Sequence, residues 1–227
     1  IKPHTHDTYV DGKCAECDYA CPHNSGKNDR EAGYFEKAIC SVCKAEYGDY
    51  VMDQTMPTGE VKIKGRSFWQ TFWYTISFGM FYNEPITVEI TATDDSYDYP
   101  GFDPAKHSVK IEYFVSTEAL DPEVVIKSDY YEYTGPFWIS DDNNYVIYVK
   151  ITDYAGNFFL ASSNGHVVDT TAPLIDGMKN GGVYSFCGGK TITVTDKNID
   201  KVTMDGTEIT LDENGQYTIP VDSEKHK

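Results

Sequence analysis

Positive charge is scarce in this chain. Its 227 residues carry 19 Lys plus Arg against 36 Asp plus Glu, a formal net charge of −17. Binding to nucleic acid depends on neutralising phosphates with Lys and Arg, so nucleic acid is not an expected partner, and an anionic membrane surface is repelled in the same way. Long apolar runs are missing as well. No stretch approaches about 18 consecutive apolar residues, so no bilayer-spanning helix is expected. Two catalytic or cation-binding signatures are absent: the Gly-x-Ser-x-Gly nucleophile elbow and the spacing of an EF-hand loop. Cysteine is scarce outside one region, since five of the six lie before residue 45, where Ile, Leu and Val are few. A segment so poor in aliphatics cannot build a core by itself and needs another source of folding energy.

The rest of the chain is well supplied with apolar material. Hydrophobic residues make up 40% and aromatics 14%, with 18 Tyr and 11 Phe, enough to bury a core and to set disorder aside. Three zones are visible: residues 1–56, rich in Cys and His; residues 58–168, rich in β-branched and aromatic residues; and residues 169–227, with short apolar runs broken by Gly and Asn. The start at Ile1 without a signal-peptide pattern and the end at Lys227 directly after a strand-like run read as cuts through a longer protein.

The middle zone alternates with period two in Val61–Ile63, Ile86–Ala92, Val109–Val115 and Tyr145–Ile151, which predicts strands. In the last of these, Ile147, Val149 and Ile151 are expected to face the core. Asp153-Tyr154-Ala155-Gly156-Asn157 supplies the Gly and Asn of a hairpin turn, with Phe158–Ser162 as the returning strand. Turn-punctuated strands without long alternating helices predict a mainly β fold, an immunoglobulin-like β-sandwich over 58–168. Trp69, Phe72, Trp73 and Ile76 fall at helical spacing behind Ser67, a good N-cap, and predict a short helix near 68–75 lying over an open end. A strand from Ile76 to Tyr82 follows. In the third zone Thr191–Thr195, Ile199–Met204 and Gln216–Ile219 alternate, and Asp205-Gly206 and Asn214-Gly215 are hairpin signals. About 55 residues are few for a whole sandwich, so a partial second β module is expected there.

The sharpest chemistry lies in the first 45 residues. Cys14-Ala15-Glu16-Cys17 and Cys40-Ser41-Val42-Cys43 are CxxC knuckles, and ahead of each stands a pair one residue apart, His4-Thr5-His6 and Cys21-Pro22-His23. One unit is thus written twice, each copy offering the four N and S donors of a closed tetrahedral structural Zn²⁺ site. The favoured assignment is His4, His6, Cys14 and Cys17 for one ion and Cys21, His23, Cys40 and Cys43 for the other. A single ribbon site joining Cys14, Cys17, Cys40 and Cys43 is a second grouping, and disulfides are a third reading, disfavoured by the odd count of five. Four protein ligands leave no open position for water, so the role expected is structural.

Val167-Val168-Asp169-Thr170-Thr171-Ala172-Pro173, Ile151-Thr152-Asp153-Tyr154-Ala155-Gly156-Asn157, and Val183–Cys187 leading into Thr191–Val194 resemble the bacterial Ig-like repeats of large surface proteins from gut Gram-positive bacteria. The Cys/His prelude resembles the short zinc-ribbon-like repeats that accompany them. The resemblance implies an extracellular, cell-wall-attached modular protein with a spacer, adhesive or binding role, and a host or cell-surface protein or glycan as partner. Two departures stand out: His4 occupies a position where the ribbon repeat more often has Cys, and the last Ig-like repeat stops early.

Other candidates are weaker. Asp94-Asp95, Asp141-Asp142 and Glu60 supply carboxylates, but nothing pairs two across a cleft. His107 and His166 read as exposed surface histidines, and Cys187 as a small half-buried residue. Asp94, Asp95, Asp98 and Asp103 crowd one loop that has oxygen donors for Ca²⁺, with a solvated acidic loop as the plainer reading. Tyr97, Tyr99, Phe102, Tyr130, Tyr131 and Tyr133 are the loop aromatics best suited to touch a glycan or protein. A non-enzymatic surface module is therefore expected, with a carbohydrate-binding accessory module of a secreted glycosidase as the alternative.

Overall fold

The computed structural model describes residues 6, 8–17, 19–23, 29–64, 66–68, 70–71, 76–184 and 188–220. The chain is mainly β, with several sheets and, among the described residues, three short helical segments. It divides into two compact units, one made of residues 1–77, 87–137 and 145–165, the other of residues 78–86, 138–144 and 166–227.

Besides two small hairpins in the Cys/His segment, the first unit holds strands of two larger antiparallel sheets. One runs in the order Tyr131–Glu132, Lys110–Ser116, Asn143–Thr152, Phe158–Ser162 and Gln70–Thr71. In the other, Thr58–Ile63 is flanked by Arg66–Phe68 and Ile86–Thr93. Period-two alternation puts successive side chains on opposite faces, and Val88 and Ile90 are buried while Thr87 and Glu89 are exposed, as the sequence predicts. Val61 and Ile63 are buried beside them. The two sheets meet face to face at Gly59, where a β-carbon would overlap Cδ1 of Ile151 and the Thr91 carbonyl, so no larger residue fits.

Asn143–Thr152 is covered on both faces. Ile147, Val149 and Ile151 are buried as expected, but so are Val146 and Tyr148. On the Tyr148 side Phe114 stacks on its ring at 5.0 Å, the edge of Tyr130 meets Phe114 at 5.0 Å, and Leu120 N–H donates to the Tyr148 hydroxyl at 2.7 Å. The short helix Pro122–Lys127 buries Val125, whose carbonyl accepts from the Tyr130 hydroxyl at 3.1 Å. The hairpin after this strand forms as its sequence demands. Asp153 N–H donates to the Asn157 carbonyl at 3.0 Å, Gly156 takes φ +92°, and Thr152 pairs with Phe158.

The helix expected near 68–75 is corrected. Arg66–Phe68 is a strand that folds back on Thr58–Ile63, past Lys64 at φ +47°, and Gln70–Thr71 pairs with Phe158–Ser162. Four aromatic and apolar residues over two turns do not distinguish a helix from a strand, and open sheet edges offered this stretch main-chain partners. Trp69, Phe72, Trp73 and Tyr74 lie outside the described residues.

The second unit contains the antiparallel sheet Leu174–Asp176, Lys190–Thr195, Gln216–Ile219 over a small core of Ile192, Val194 and Ile219, with Met178, Val202, Met204, Leu211 and Tyr217 against it. Asp205-Gly206 makes the hairpin joining Val202–Met204 to Thr207–Ile209, both turn residues having positive φ. Ile199–Lys201 stays outside that strand. Asn214-Gly215 makes a turn but joins no paired strands, because Gln216–Ile219 pairs with Lys190–Thr195 instead. Asp142 fastens the Asp-Thr-Thr joint: its Oδ1 accepts from Thr170 N–H at 2.7 Å and from the Thr170 hydroxyl at 2.8 Å, and its Oδ2 accepts from the Thr171 hydroxyl. Those bonds hold the Asp142 carboxyl down to about 2.

Candidate metal centres

The Cys/His segment is built from two short hairpins, the first ahead of its CxxC knuckle and the second enclosing its own. In the first, Tyr9–Val10 pairs with Lys13–Cys14 across Asp11 and Gly12, both at positive φ. In the second, Ala38–Ile39 pairs with Glu46–Tyr47. The knuckles close with the same main-chain bond: Cys14 N–H donates to the Tyr19 carbonyl at 2.8 Å, and Cys40 N–H to the Ala45 carbonyl at 3.0 Å, five residues on in each case. This bond curls the CxxC loop so that both sulfurs turn to one side.

Cys21, His23, Cys40 and Cys43 come together, each contributing a ligand atom within 4.8 Å of the others. Cys21 Sγ lies 3.7 Å from Cys40 Sγ, and Cys43 Sγ 3.6 Å from His23 Nδ1. Ligands at about 2.3 Å (S) and about 2.0–2.1 Å (N) around a tetrahedral ion stand about 3.8 Å apart for S···S and about 3.6 Å for S···N. A disulfide would bring the sulfurs to about 2.05 Å. The five described cysteines are free thiols. The three sulfurs are buried, with Tyr9, Ala45 and Tyr47 packed against them. Burial pushes the Cys21 thiol up, a cost that coordination to a cation reverses by stabilising the thiolate.

His6, Cys14 and Cys17 form the second cluster, with Cys17 Sγ 3.4 Å from His6 Nε2. His4, the expected fourth ligand, lies outside the described residues. The grouping of Cys14 and Cys17 with Cys40 and Cys43 is not what the fold makes: each CxxC pair joins the donors written ahead of it.

Each clustered histidine is backed by a tyrosine, which the sequence reading missed. His6 stacks on Tyr19 at 4.3 Å and 22°, His23 on Tyr47 at 4.8 Å and 3°. The repeat itself carried that signal, since a Tyr follows each CxxC within four residues. Tyr47 is fixed further by donating to Asp29 Oδ2 at 2.7 Å, while Asp29 Oδ1 accepts from Ser41 N–H at 2.6 Å within the knuckle. That carboxylate pushes the Tyr47 phenol up.

The other candidates fall differently. His107, expected on the surface, is half-buried and stacks on Phe35 at 4.1 Å and 11°. Phe102 and Tyr154 also meet Phe35, and Tyr99 stacks on Tyr34 at 4.2 Å. Tyr99 and Phe102, expected to be free for a ligand, therefore pack largely against the end of the Cys/His segment. Tyr97 packs on Phe102, Tyr133 accepts from Ile90 N–H, and Tyr131 alone of the six is 70% exposed. His166, also expected on the surface, is fully buried against Tyr82 at 5.7 Å, and burial pushes its pKa down to about 4. The run His166-Val167-Val168 is buried throughout, so no alternation marks it as two-faced. Cys187 lies outside the described residues, and Glu60 pairs with Lys62 at 3.4 Å.

Fold and site together define a mainly β chain that carries, near its start, two Cys/His clusters able to hold a metal ion. No family model and no curated protein matches the chain.

Proposed function

We propose that this chain is a non-enzymatic stretch of an extracellular, cell-wall-attached modular protein, in which Ig-like β-sandwich modules follow a segment folded on two structural Zn²⁺ ions. Its role is adhesion, binding or spacing, towards a host or cell-surface protein or glycan. The observation that carries the reading is the closed four-ligand cluster of Cys21, His23, Cys40 and Cys43, with its tetrahedral spacings. Soft and borderline donors favour zinc over harder ions, and a filled shell gives it a structural task. His4, His6, Cys14 and Cys17 make the second site. The opposed sheets of the first unit support the sandwich. Elemental analysis of protein purified without added metal tests the zinc: two ions per chain are expected, one after Cys43→Ser, and a metal-free protein with intact hairpins would end the reading.

A carbohydrate-binding accessory module is the second reading. It is favoured by Trp138, 79% exposed on the strand Phe137–Ile139, because an open indole is a stacking surface for a sugar ring. Glycan-array binding that disappears in Trp138→Ala would select it; a blank array would remove it.

A further inference from the structure

A third cluster lies away from the thiols and is made of oxygen alone. Asp53, Asp94 and Asp153 come from three separate segments: the tail of the Cys/His region, the loop after Ile86–Thr93, and the Asp153–Asn157 hairpin. Each is more than nine-tenths buried, at 4%, 6% and 7% exposure. One oxygen from each lies within 4.8 Å of the others. Among the described residues no Lys or Arg ion pair reaches any of the three.

The oxygens divide by task. Asp53 Oδ1 accepts from Thr55 N–H at 3.0 Å and Asp94 Oδ1 from Ser96 N–H at 3.0 Å, so these atoms hold their own loops. Asp153 is oriented by Asn157, whose backbone N–H and side-chain amide donate to its two oxygens at 2.8 Å each. Asp53 Oδ2 and Asp94 Oδ2 are buried and make no hydrogen bond of normal geometry. The Thr55 hydroxyl lies 2.7 Å from Asp53 Oδ1 and 2.6 Å from Asp95 Oδ1, with one proton for two acceptors. Uncompensated negative potential is felt nearby: Tyr154 is pushed up, first by burial and then by Asp53, with Asp153 and Asp94 adding to it. A bare buried carboxylate oxygen costs several kcal/mol by the usual measure, and two side by side repel as well.

We propose that Asp53, Asp94 and Asp153 hold a Ca²⁺ ion, with Asp53 Oδ2 and Asp94 Oδ2 as two of its ligands. An all-oxygen, carboxylate-rich set selects a hard cation and disfavours the zinc suited to the thiols. Oxygens within 4.8 Å of one another suit ligand distances of about 2.3–2.6 Å, and Ca²⁺ accepts irregular shells completed by water. Because the three ligands come from the tail of the Cys/His region and from two loops at one end of the sheets, the ion ties these segments together.

The test is calorimetric titration of the calcium-free 227-residue chain with CaCl2, together with Tb³⁺ luminescence sensitised by the neighbouring tyrosines. One equivalent should bind, with a rise in Tm of roughly 5–10 °C at a hundredfold excess over Kd. Asp94→Asn and Asp153→Asn should each weaken binding at least tenfold, while Cys43→Ser should leave it unchanged. In calcium-free buffer Asp94→Asn should keep the parent circular dichroism and melt no lower than the parent, since it removes one of three like charges while its side-chain oxygen still accepts from Ser96 N–H. The proposal is overturned by a flat titration of the parent chain, by undiminished binding in Asp94→Asn, or by Mg²⁺ binding as tightly as Ca²⁺.

Discussion

Two regions of the first unit are held by different physics. In the sheets, Val61, Ile63, Val88, Ile90, Ile147, Val149 and Ile151 are buried, each worth roughly 1.5–3 kcal/mol when withdrawn from water. In the Cys/His segment the buried cluster is Cys21, Cys40 and Cys43, with two tyrosines and an alanine packed on it. Its two-residue strands give too few ladder bonds to stand alone. One region carries an aliphatic core of its own; the buried core of the other is made of thiols that could hold a metal ion.

Metal removal separates them most sharply. Structural Zn²⁺ contributes roughly 10–16 kcal/mol in small metal-folded peptides. Stripping the metal should therefore abolish hydrogen-exchange protection at the Cys14, Cys21, Cys40 and Lys44 amides and leave that of Asn143–Thr152 in place. Loss of protection in both would show that the two regions fold as one. The converse perturbation is Ile151→Ala, a substitution at a fully buried site where the two sheets meet, expected to cost about 2–5 kcal/mol in chemical denaturation without changing zinc content.

The second unit adds a proton dependence. His166 is neutral when folded, with its pKa near 4, against about 6.5 unfolded, so the unfolded chain binds the extra proton. Its contribution is complete above about 6.5 and is lost as pH falls towards 4, about 3 kcal/mol in all. Denaturation of metal-stripped protein at pH 7 and pH 4 tests it: the loss of stability on acidification should be smaller in His166→Phe than in the parent chain by about that amount. The smallest effect is expected at Asp142. Its lowered pKa means that its stabilisation is present above about 4 and fades as pH drops through about 2. The gap in Tm between the parent chain and Asp142→Asn should therefore narrow between pH 5 and pH 3.

Legibility in the sequence followed the range of the interactions. The duplicated Cys/His unit and the Asp153–Asn157 hairpin depend on residues a few positions apart, and both were readable. The β alternation was readable where one face is buried, as in Ile86–Thr93, and incomplete in Asn143–Thr152, whose second covering comes from residues 114–130. The helix expected near 68–75 is overturned at Phe68, which pairs with the neighbouring Thr58–Ile63, and at Gln70–Thr71, which pair with the distant Phe158–Ser162; the local spacing showed neither edge. The loop that holds Asp94 was noticed for its acidity, but its closest buried partners, Asp53 and Asp153, sit in segments with no acidic crowding of their own. His166 was misplaced for a related reason, since nothing local shows that both sides of its strand are covered.

The pairing of Gln70–Thr71 with Phe158–Ser162 also sets a schedule. About 90 residues separate the two strands, which at roughly 5–20 residues per second means that the earlier one waits on the order of 4–18 s for its neighbour to be made. Throughout that interval its main-chain groups are open to any other passing strand. A ribosome-bound nascent chain should thus be most prone to wrong pairing until Phe158–Ser162 emerges, and safer once it has.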